Sequence, residues 1–265
     1  MKQWPFRIGT TSYIIPEDIL PNVHFLADQV DDVELVLFEV DDGPNNLPDA
    51  GVIQQLKSTA QQHQLSYTVH LPLDLRLAAE NGEQHISMLK ARKVIDCTSD
   101  LDPWAYVLHL DGRELLNNAD PNVTIDWNRR AVHALEIVAG WVGDASLITV
   151  ENLEKYPLNF WDEVFKQVPV SRCIDIGHLW YDEYDPIPYL KKHIDRAKVL
   201  HIHGISGRDH KSLSHVPFDE LYRVIQFVSH SGFQGVMTVE VFGEEDFRTS
   251  MHAIQNVLVR LTEEE

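Results

Sequence analysis

Cysteine is scarce in this sequence, which has only Cys97 and Cys173 among its 265 residues. Both lie in apolar stretches, so we expect buried free thiols in a reducing compartment and predict a cytoplasmic protein. Neither cysteine has a clear strand-end position beside a general base, which disfavours cysteine-based nucleophilic catalysis.

Basic side chains are also few: 22 Lys and Arg stand against 41 Asp and Glu, giving a formal net charge of −19 with histidine neutral. Proteins bind duplex DNA and RNA largely through Lys and Arg contacts to phosphate. The composition therefore argues against a nucleic-acid partner and favours a small-molecule substrate. Part of the acidity would be functional if carboxylates hold cations, which the formal charge omits.

Long apolar runs and several common catalytic motifs are absent as well. No stretch approaches the roughly 18 apolar residues of a membrane span, and the first residues lack the apolar core of a signal peptide, so we expect no membrane association. The sequence contains no Gly-x-Ser-x-Gly, no Walker-type phosphate loop and no Gly-x-Gly-x-x-Gly. Serine hydrolase, P-loop and dinucleotide-binding chemistry are therefore disfavoured.

Short β-branched runs alternate with longer amphipathic stretches, the pattern of βα units around a parallel sheet. Eight such runs predict a (β/α)8 TIM barrel that occupies residues 1–265 as a single domain, since this fold typically takes about 250 residues. The predicted strands are Arg7–Gly9, Val33–Glu39, Ser66–His70, Tyr106–His109, Leu147–Glu151, Arg172–Asp175, Val199–His203 and Val236–Glu240. The predicted helices are 17–29, 48–63, 83–98, 124–142, 158–167, 186–195, 217–230 and 245–261.

Six successive predicted strands end on a residue type that binds metal ions. These residues are His70, His109, Glu151, Asp175, the pair His201 and His203, and Glu240. A parallel barrel gathers the carboxyl ends of its strands at one mouth, where the chemistry takes place. Each residue alone has a simpler explanation, a half-buried polar group bonded to the backbone, but their common position predicts one metal site.

The set Glu151, Asp175, His201 and Glu240 mixes imidazole and carboxylate groups, which suits Zn2+, Mn2+ or Fe2+. Side chains alternate along a strand, so His201 and His203 face inward together and either of them can be the ligand.

Two further groups would extend this site to two or three cations. His70 and His109 would share Glu151 with a second cation, although strand-end histidines also serve as hydrogen-bonding or substrate-contacting groups. His178 would hold a third cation with the loop pair Asp209 and His210, although such loop pairs are commonly only solvated.

Four residues near the predicted mouth are candidate substrate contacts. Glu39 ends the second predicted strand and would serve as an acid or base, contact the substrate, or form a salt bridge. Ser12 and Tyr13 follow the first strand and would line the mouth. Trp180 lies two residues beyond His178, where it would form an apolar wall for a substrate or simply pack within the loop.

The order of these ligand types resembles that of the endonuclease IV-like branch of the xylose isomerase-like barrels, the AP endonuclease family 2, which binds three zinc ions. The resemblance implies a first site of His70, His109 and Glu151. It implies a second site of Glu151, Asp175, His201 and Glu240, and a third of His178, Asp209 and His210. The branch spaces its loop Asp and His two apart, whereas Asp209 and His210 are adjacent.

Three segments are similar to the cobamide-remodelling phosphodiesterase (CbiR) family. They are Ile8–Pro16, Asp32–Glu39 and His201–Gly204. That family hydrolyses the nucleotide loop of cobamides such as adenosylcobalamin, and the resemblance alone implies this substrate.

These observations predict a metal-dependent phosphodiesterase with two or three divalent cations. Glu151 would bridge two of them, and Glu240 and His178 would complete the catalytic set, with a cation near His178 stabilising the leaving oxygen. The alternative is a sugar isomerase or epimerase that needs one cation on the four-residue set and uses carboxylates to move protons at a sugar carbon.

Overall fold

A closed parallel barrel forms the centre of the molecule. The computed structural model describes residues 4–39, 45–118 and 120–264. The strands pair in chain order and the eighth pairs with the first. They are β1 (Arg7–Thr11), β2 (Asp32–Val36), β3 (Ser66–His70), β4 (Ala105–Leu108), β5 (Ile148–Glu151), β6 (Ser171–Asp175), β7 (Ala197–Ile202) and β8 (Val236–Val239). The predicted (β/α)8 TIM barrel is confirmed, and every predicted strand overlaps an observed one.

Nine α-helices accompany the strands in the described part of the chain. They are α1 (Ile19–Leu26), α2 (Ala50–His63), α3 (Ile86–Thr98), α4 (Pro121–Val142), α5 (Asp162–Phe165), α6 (Ile176–Tyr181), α7 (Pro186–His193), α8 (Phe218–His230) and α9 (Glu244–Glu264). The sequence prediction lacks α6 and makes α5 too long. None of these helices is long and apolar enough to cross a membrane.

Local sequence signals explain where the longest helix begins and ends. The side chain of Asp120 accepts a hydrogen bond from the backbone N–H of Asn122 at 2.9 Å, and Pro121 occupies the first helical position of α4. Both features favour a helix start. Gly143 ends the helix with a φ of 87°, a left-handed conformation that glycine adopts without steric cost.

Alternating side chains divide each strand between two environments. Leu200 and Ile202 join the large apolar core between the strands and the helices. Cys173 and Val199 belong to a small apolar cluster on the opposite, inner side of the sheet. His201 therefore lies inside the barrel, as the sequence predicts.

The register of the strands brings the predicted site residues to within two residues of the same level. Asp175 of β6 pairs with His201 of β7, and His201 pairs in turn with Thr238 of β8. Glu151 pairs with Cys173, two residues before Asp175. Neighbouring strands therefore deliver their last residues to the same mouth.

The end of β2 differs from the prediction. This strand ends at Val36 rather than at Glu39, and Val33 and Leu35 pack in the outer core. The alternation therefore turns Glu34 toward the barrel interior, whereas a strand with Glu39 facing inward would have turned Glu34 outward.

Candidate active site

Four side chains from β5 to β8 converge at the carboxyl ends of the strands. One ligand atom from each of Glu151, Asp175, His201 and Glu240 lies within 4.8 Å of the others, and we call this set the central cluster. All four side chains are buried. The Nδ1 atom of His201 lies 3.1 Å from Oε2 of Glu240 and 3.5 Å from Oε1 of Glu151.

A second group, the first-site cluster, shares Glu151 with the central cluster. It consists of His70, His109 and Glu151. The Nε2 atoms of His70 and His109 lie 3.3 and 3.2 Å from Oε2 of Glu151. Nδ1 of His70 lies 2.7 Å from the carbonyl oxygen of Leu71, and a hydrogen bond donated there leaves Nε2 free to act as a ligand.

A third group, the three-histidine cluster, consists of His178, His203 and His210. The rings of His203 and His210 stack with centroids 4.3 Å apart. Nδ1 of His178 lies 3.0 Å from the carbonyl oxygen of Asn152, so its Nε2 remains available. The capping of α6 holds His178 in place, because its backbone N–H donates to Oδ1 of Asp175 at 2.7 Å.

The composition of this third cluster differs from the predicted set of His178, Asp209 and His210, since the prediction treated His203 only as an alternative to His201. Oδ1 of Asp209 lies 3.3 Å from Nδ1 of His210, while Nε2 of His210 lies 3.3 Å from Oε2 of Glu240. Asp209 therefore lies behind the His210 ring, on the side away from Glu240. His203, which directly follows β7, is the third member of the cluster.

Comparisons with known proteins place this architecture in a family. The family model of the xylose isomerase-like TIM barrel matches residues 29–257. The chain belongs to this family. A search of the curated proteins found no match.

Several solved structures share the fold of this xylose isomerase-like barrel. A D-tagatose 3-epimerase-like protein superposes with a TM-score of 0.76 at 21% identity, covering 97% of this chain and 99% of that chain. Endonuclease IV from Thermus thermophilus gives 0.73 at 16% identity, covering 96% and 99%. The 3-keto-D-glucoside 4-epimerase YcjR from E. coli gives 0.68 at 14% identity, covering 97% and 100%. At these low identities, the TM-scores show a common fold and nothing beyond it.

The buried donor atoms of the site fit a divalent metal. Oδ2 of Asp175, Nδ1 of His201, Nε2 of His203 and Oε2 of Glu240 are buried, and none has a hydrogen-bond partner among the described residues. Buried polar atoms are normally hydrogen-bonded, so their convergence indicates a cation site. Mixed imidazole and carboxylate donors suit Zn2+, Mn2+ or Fe2+. The chain is thus a metal-dependent enzyme of the xylose isomerase-like family.

Neighbouring carboxylates raise the pKa of two histidines in the three-histidine cluster. Burial alone lowers the pKa of His178, but the carboxylates of Asp175, Glu151 and Glu240 outweigh it and raise that pKa to about 9. Burial likewise lowers the pKa of His210, and Glu240 reverses the effect and raises it to about 10. Protonated imidazoles therefore balance the carboxylates whenever no cation is bound.

Sequence reasoning missed Glu34, although its carboxylate is fully buried in this site. Its Oε2 lies 2.9 Å from Nε2 of His201. Glu34 also forms a ligand-type group with His70 and Glu240. The available signal was an acidic residue inside the apolar run of β2, at an inward position shared with Asp32 and Val36.

The four predicted substrate contacts have different surroundings in the structure. Glu39 forms an ion pair with Lys93 of α3 at 2.6 Å and belongs to none of the clusters. Ser12 is buried and accepts a hydrogen bond from the backbone N–H of Val36, so it holds the end of β2. Tyr13 accepts a hydrogen bond from the side chain of Asn46. Trp180 is half-buried and packs against the core.

Proposed function

We propose that this enzyme hydrolyses a phosphodiester with two or three divalent cations. The proposal rests on the shared and neighbouring side chains that link the three clusters into one site. Glu151 belongs to both the first-site and the central cluster, and Glu240 of the central cluster approaches His210 of the three-histidine cluster. A one-cation isomerase would need the central cluster alone, so the two additional clusters favour a hydrolase.

Each cluster would hold one cation. Bound cations would supply Lewis acidity toward phosphoryl oxygens and favour the ionised form of water near neutral pH. The first-site cluster and the central cluster would share the two oxygens of Glu151, which the histidines approach from different strands. Glu240 would similarly hold His201 and His210 in fixed relation, since its Oε2 lies close to both.

The electrostatics of the mouth support a metal-dependent reaction with phosphate. No described ion pair joins Lys or Arg to Glu151, Asp175 or Glu240; their partners in the described ranges are histidines. When the histidines act as neutral ligands, the carboxylates of the site would repel an anionic substrate unless cations are bound. Bound cations would therefore supply the positive charge that this acidic chain otherwise lacks.

A cobamide is the substrate that we propose, and its support comes from two directions. The sequence resemblance to the cobamide-remodelling phosphodiesterase family implies it. Large apolar side chains are also exposed beyond the strand ends, including Leu73 after β3, Tyr181 at the end of α6 and Phe242 after β8, at 48%, 39% and 46%. Exposed apolar groups around a site suit a bulky and partly apolar ligand.

The second candidate is a sugar epimerase or isomerase. The central cluster is complete without the other two, and two of the similar structures described above are named as epimerases or epimerase-like. The comparisons support this candidate more than they support a cobamide substrate. It predicts one cation per chain and a reaction in which carboxylates move protons at a sugar carbon.

The deciding experiment incubates metal-replete protein with adenosylcobalamin and follows the products by chromatography. We expect α-ribazole and adenosylcobinamide phosphate, and we expect chelation to abolish both. Glu151→Ala should abolish them as well, whereas Asp209→Asn retains the shared carboxylate and should keep measurable activity. Intact adenosylcobalamin together with epimerised ketose in a parallel incubation would establish the second candidate instead.

A further inference from the structure

Glu34 is a buried carboxylate in the barrel that none of the roles above assigns. It is fully buried, and no described ion pair joins it to Lys or Arg. Its Oε2 lies 2.9 Å from Nε2 of His201, while its Oε1 is buried without a hydrogen-bond partner in the described chain. A buried carboxylate costs several kcal/mol unless it is paired, so this contact with His201 must offset much of that cost.

The two nitrogens of His201 face different partners. Nε2 faces Glu34, whereas Nδ1 faces the carboxylates of the central cluster, at 3.1 Å from Glu240, 3.5 Å from Glu151 and 3.9 Å from Asp175. A neutral imidazole carries its hydrogen on one nitrogen and a lone pair on the other. If Nε2 donates its hydrogen to Glu34, the lone pair of Nδ1 points at the group of carboxylates.

We propose that Glu34 is a positioning residue that fixes the tautomer and orientation of His201, so that His201 binds a cation through Nδ1. Its negative charge also increases the basicity of the imidazole as a ligand. The proposal rests on the metal-binding part of the proposed function and is independent of the substrate.

Asp32 provides a matched control within the same strand. It is also a fully buried carboxylate on the inner face of β2, two residues before Glu34. Its oxygens accept hydrogen bonds from the Ser66 hydroxyl at 2.5 Å and from the backbone N–H of Thr68 at 3.2 Å. It also forms an ion pair with Arg7 at 3.8 Å, and no hydrogen bond or ion pair in the described chain joins it to a candidate ligand. Asp32→Asn therefore tests the effect of removing a buried, paired charge from this strand without removing a partner of the site.

The experiment compares the wild type with Glu34→Gln, Glu34→Leu and Asp32→Asn. Zinc affinity is measured by competition with a chromophoric chelator, and the nitrogen-15 chemical shifts of the histidine rings are measured by NMR. Loss of an outer hydrogen-bond partner typically weakens metal binding by about 10- to 100-fold, and we expect a loss of that size for one cation in Glu34→Leu. Glu34→Gln should lose less, because its amide oxygen still accepts the Nε2 hydrogen. Asp32→Asn should retain wild-type affinity.

The ring shifts of the wild type give a second readout that needs no variant to fold. We expect His201 to retain a hydrogen on Nε2 and to show zinc at Nδ1. A zinc-bound Nε2, or a folded Glu34→Leu protein with wild-type zinc affinity, would overturn the proposal. Failure of the cobamide assay would leave these measurements untouched, because none of them uses a substrate.

Discussion

The imidazole of His203 occupies space that Gly177 leaves open in the first turn of α6. A Cβ atom at position 177 would lie 2.3 Å from Cε1 and Nε2 of His203, closer than real Cβ atoms come to other atoms. Nδ1 of His203 accepts a hydrogen bond from the backbone N–H of His210 at 3.1 Å and lies 3.2 Å from the carbonyl oxygen of Gly204, so the ring is held against the loop that carries His210. The Asp-Ile-Gly-His segment therefore supplies both a histidine and the space for its neighbour.

Substitutions of His203 and of Asp209 test which of the two completes the cation site with His178 and His210. His203→Ala should remove the cation of the three-histidine cluster, because only His178 and His210 would remain there. Asp209→Asn should keep all bound cations with an affinity reduced by about 10-fold, since Asp209 lies behind His210 and acts through it. Elemental analysis after equilibration at fixed free zinc measures both effects. The loss of a cation in Asp209→Asn but not in His203→Ala would restore the predicted ligand set.

At the scale of elements, the site depends on which residues of each strand face the barrel interior. The sequence predicted this orientation correctly for β7 but not for β2. In β7, Leu200 and Ile202 mark the outer face clearly, so the inward direction of His201 was predictable. In β2, apolar residues occupy both phases, because Val36 is buried among inward positions and Leu35 among outward ones. The pattern alone therefore did not show that Glu34, rather than Glu39, faces the site.

The buried His193 of α7 has a pKa shifted in the opposite direction from those of His178 and His210. Burial, together with the nearby cations of Arg172 and Lys192, lowers the pKa of His193 to about 4. Its Nε2 has no hydrogen-bond partner in the described chain, and its ring packs 4.5 Å from that of Tyr189. Because the folded pKa lies below the unfolded value of about 6.5, His193 stabilises the fold fully above pH 6.5 and loses this contribution as the pH falls toward 4.

His193→Phe tests this sign directly, because phenylalanine keeps the aromatic contact and cannot be protonated. Between pH 7 and pH 5 the free energy of unfolding should fall less in His193→Phe than in the wild type, by on the order of 1 kcal/mol. Urea unfolding at both pH values measures the difference. The exposed position His252 provides the control, and His252→Phe should follow the wild type. Equal pH dependence in all three proteins would contradict the assignment.

At the scale of the whole molecule, the fold could be predicted from the sequence, whereas the arrangement of the site could be predicted only in part. The barrel follows from eight short β-branched runs separated by amphipathic stretches, and each run can be recognised by itself. The three-histidine cluster depends on loop geometry: His210 has a φ of 52°, an uncommon left-handed conformation for a residue other than glycine. Sequence spacing carries no information about that turn, so the proximity of His203 to His178 and His210 could not be predicted from it.

The number of cations in the barrel tests the central claim most directly. Anomalous diffraction at the zinc edge, from crystals of the zinc-replete protein, would locate each ion among the clusters. We predict peaks in the first-site and central clusters on either side of Glu151, with a third peak among His178, His203 and His210. A single peak in the central cluster, with His70 and His109 bound only to protein or water, would contradict the account and favour a one-cation sugar epimerase.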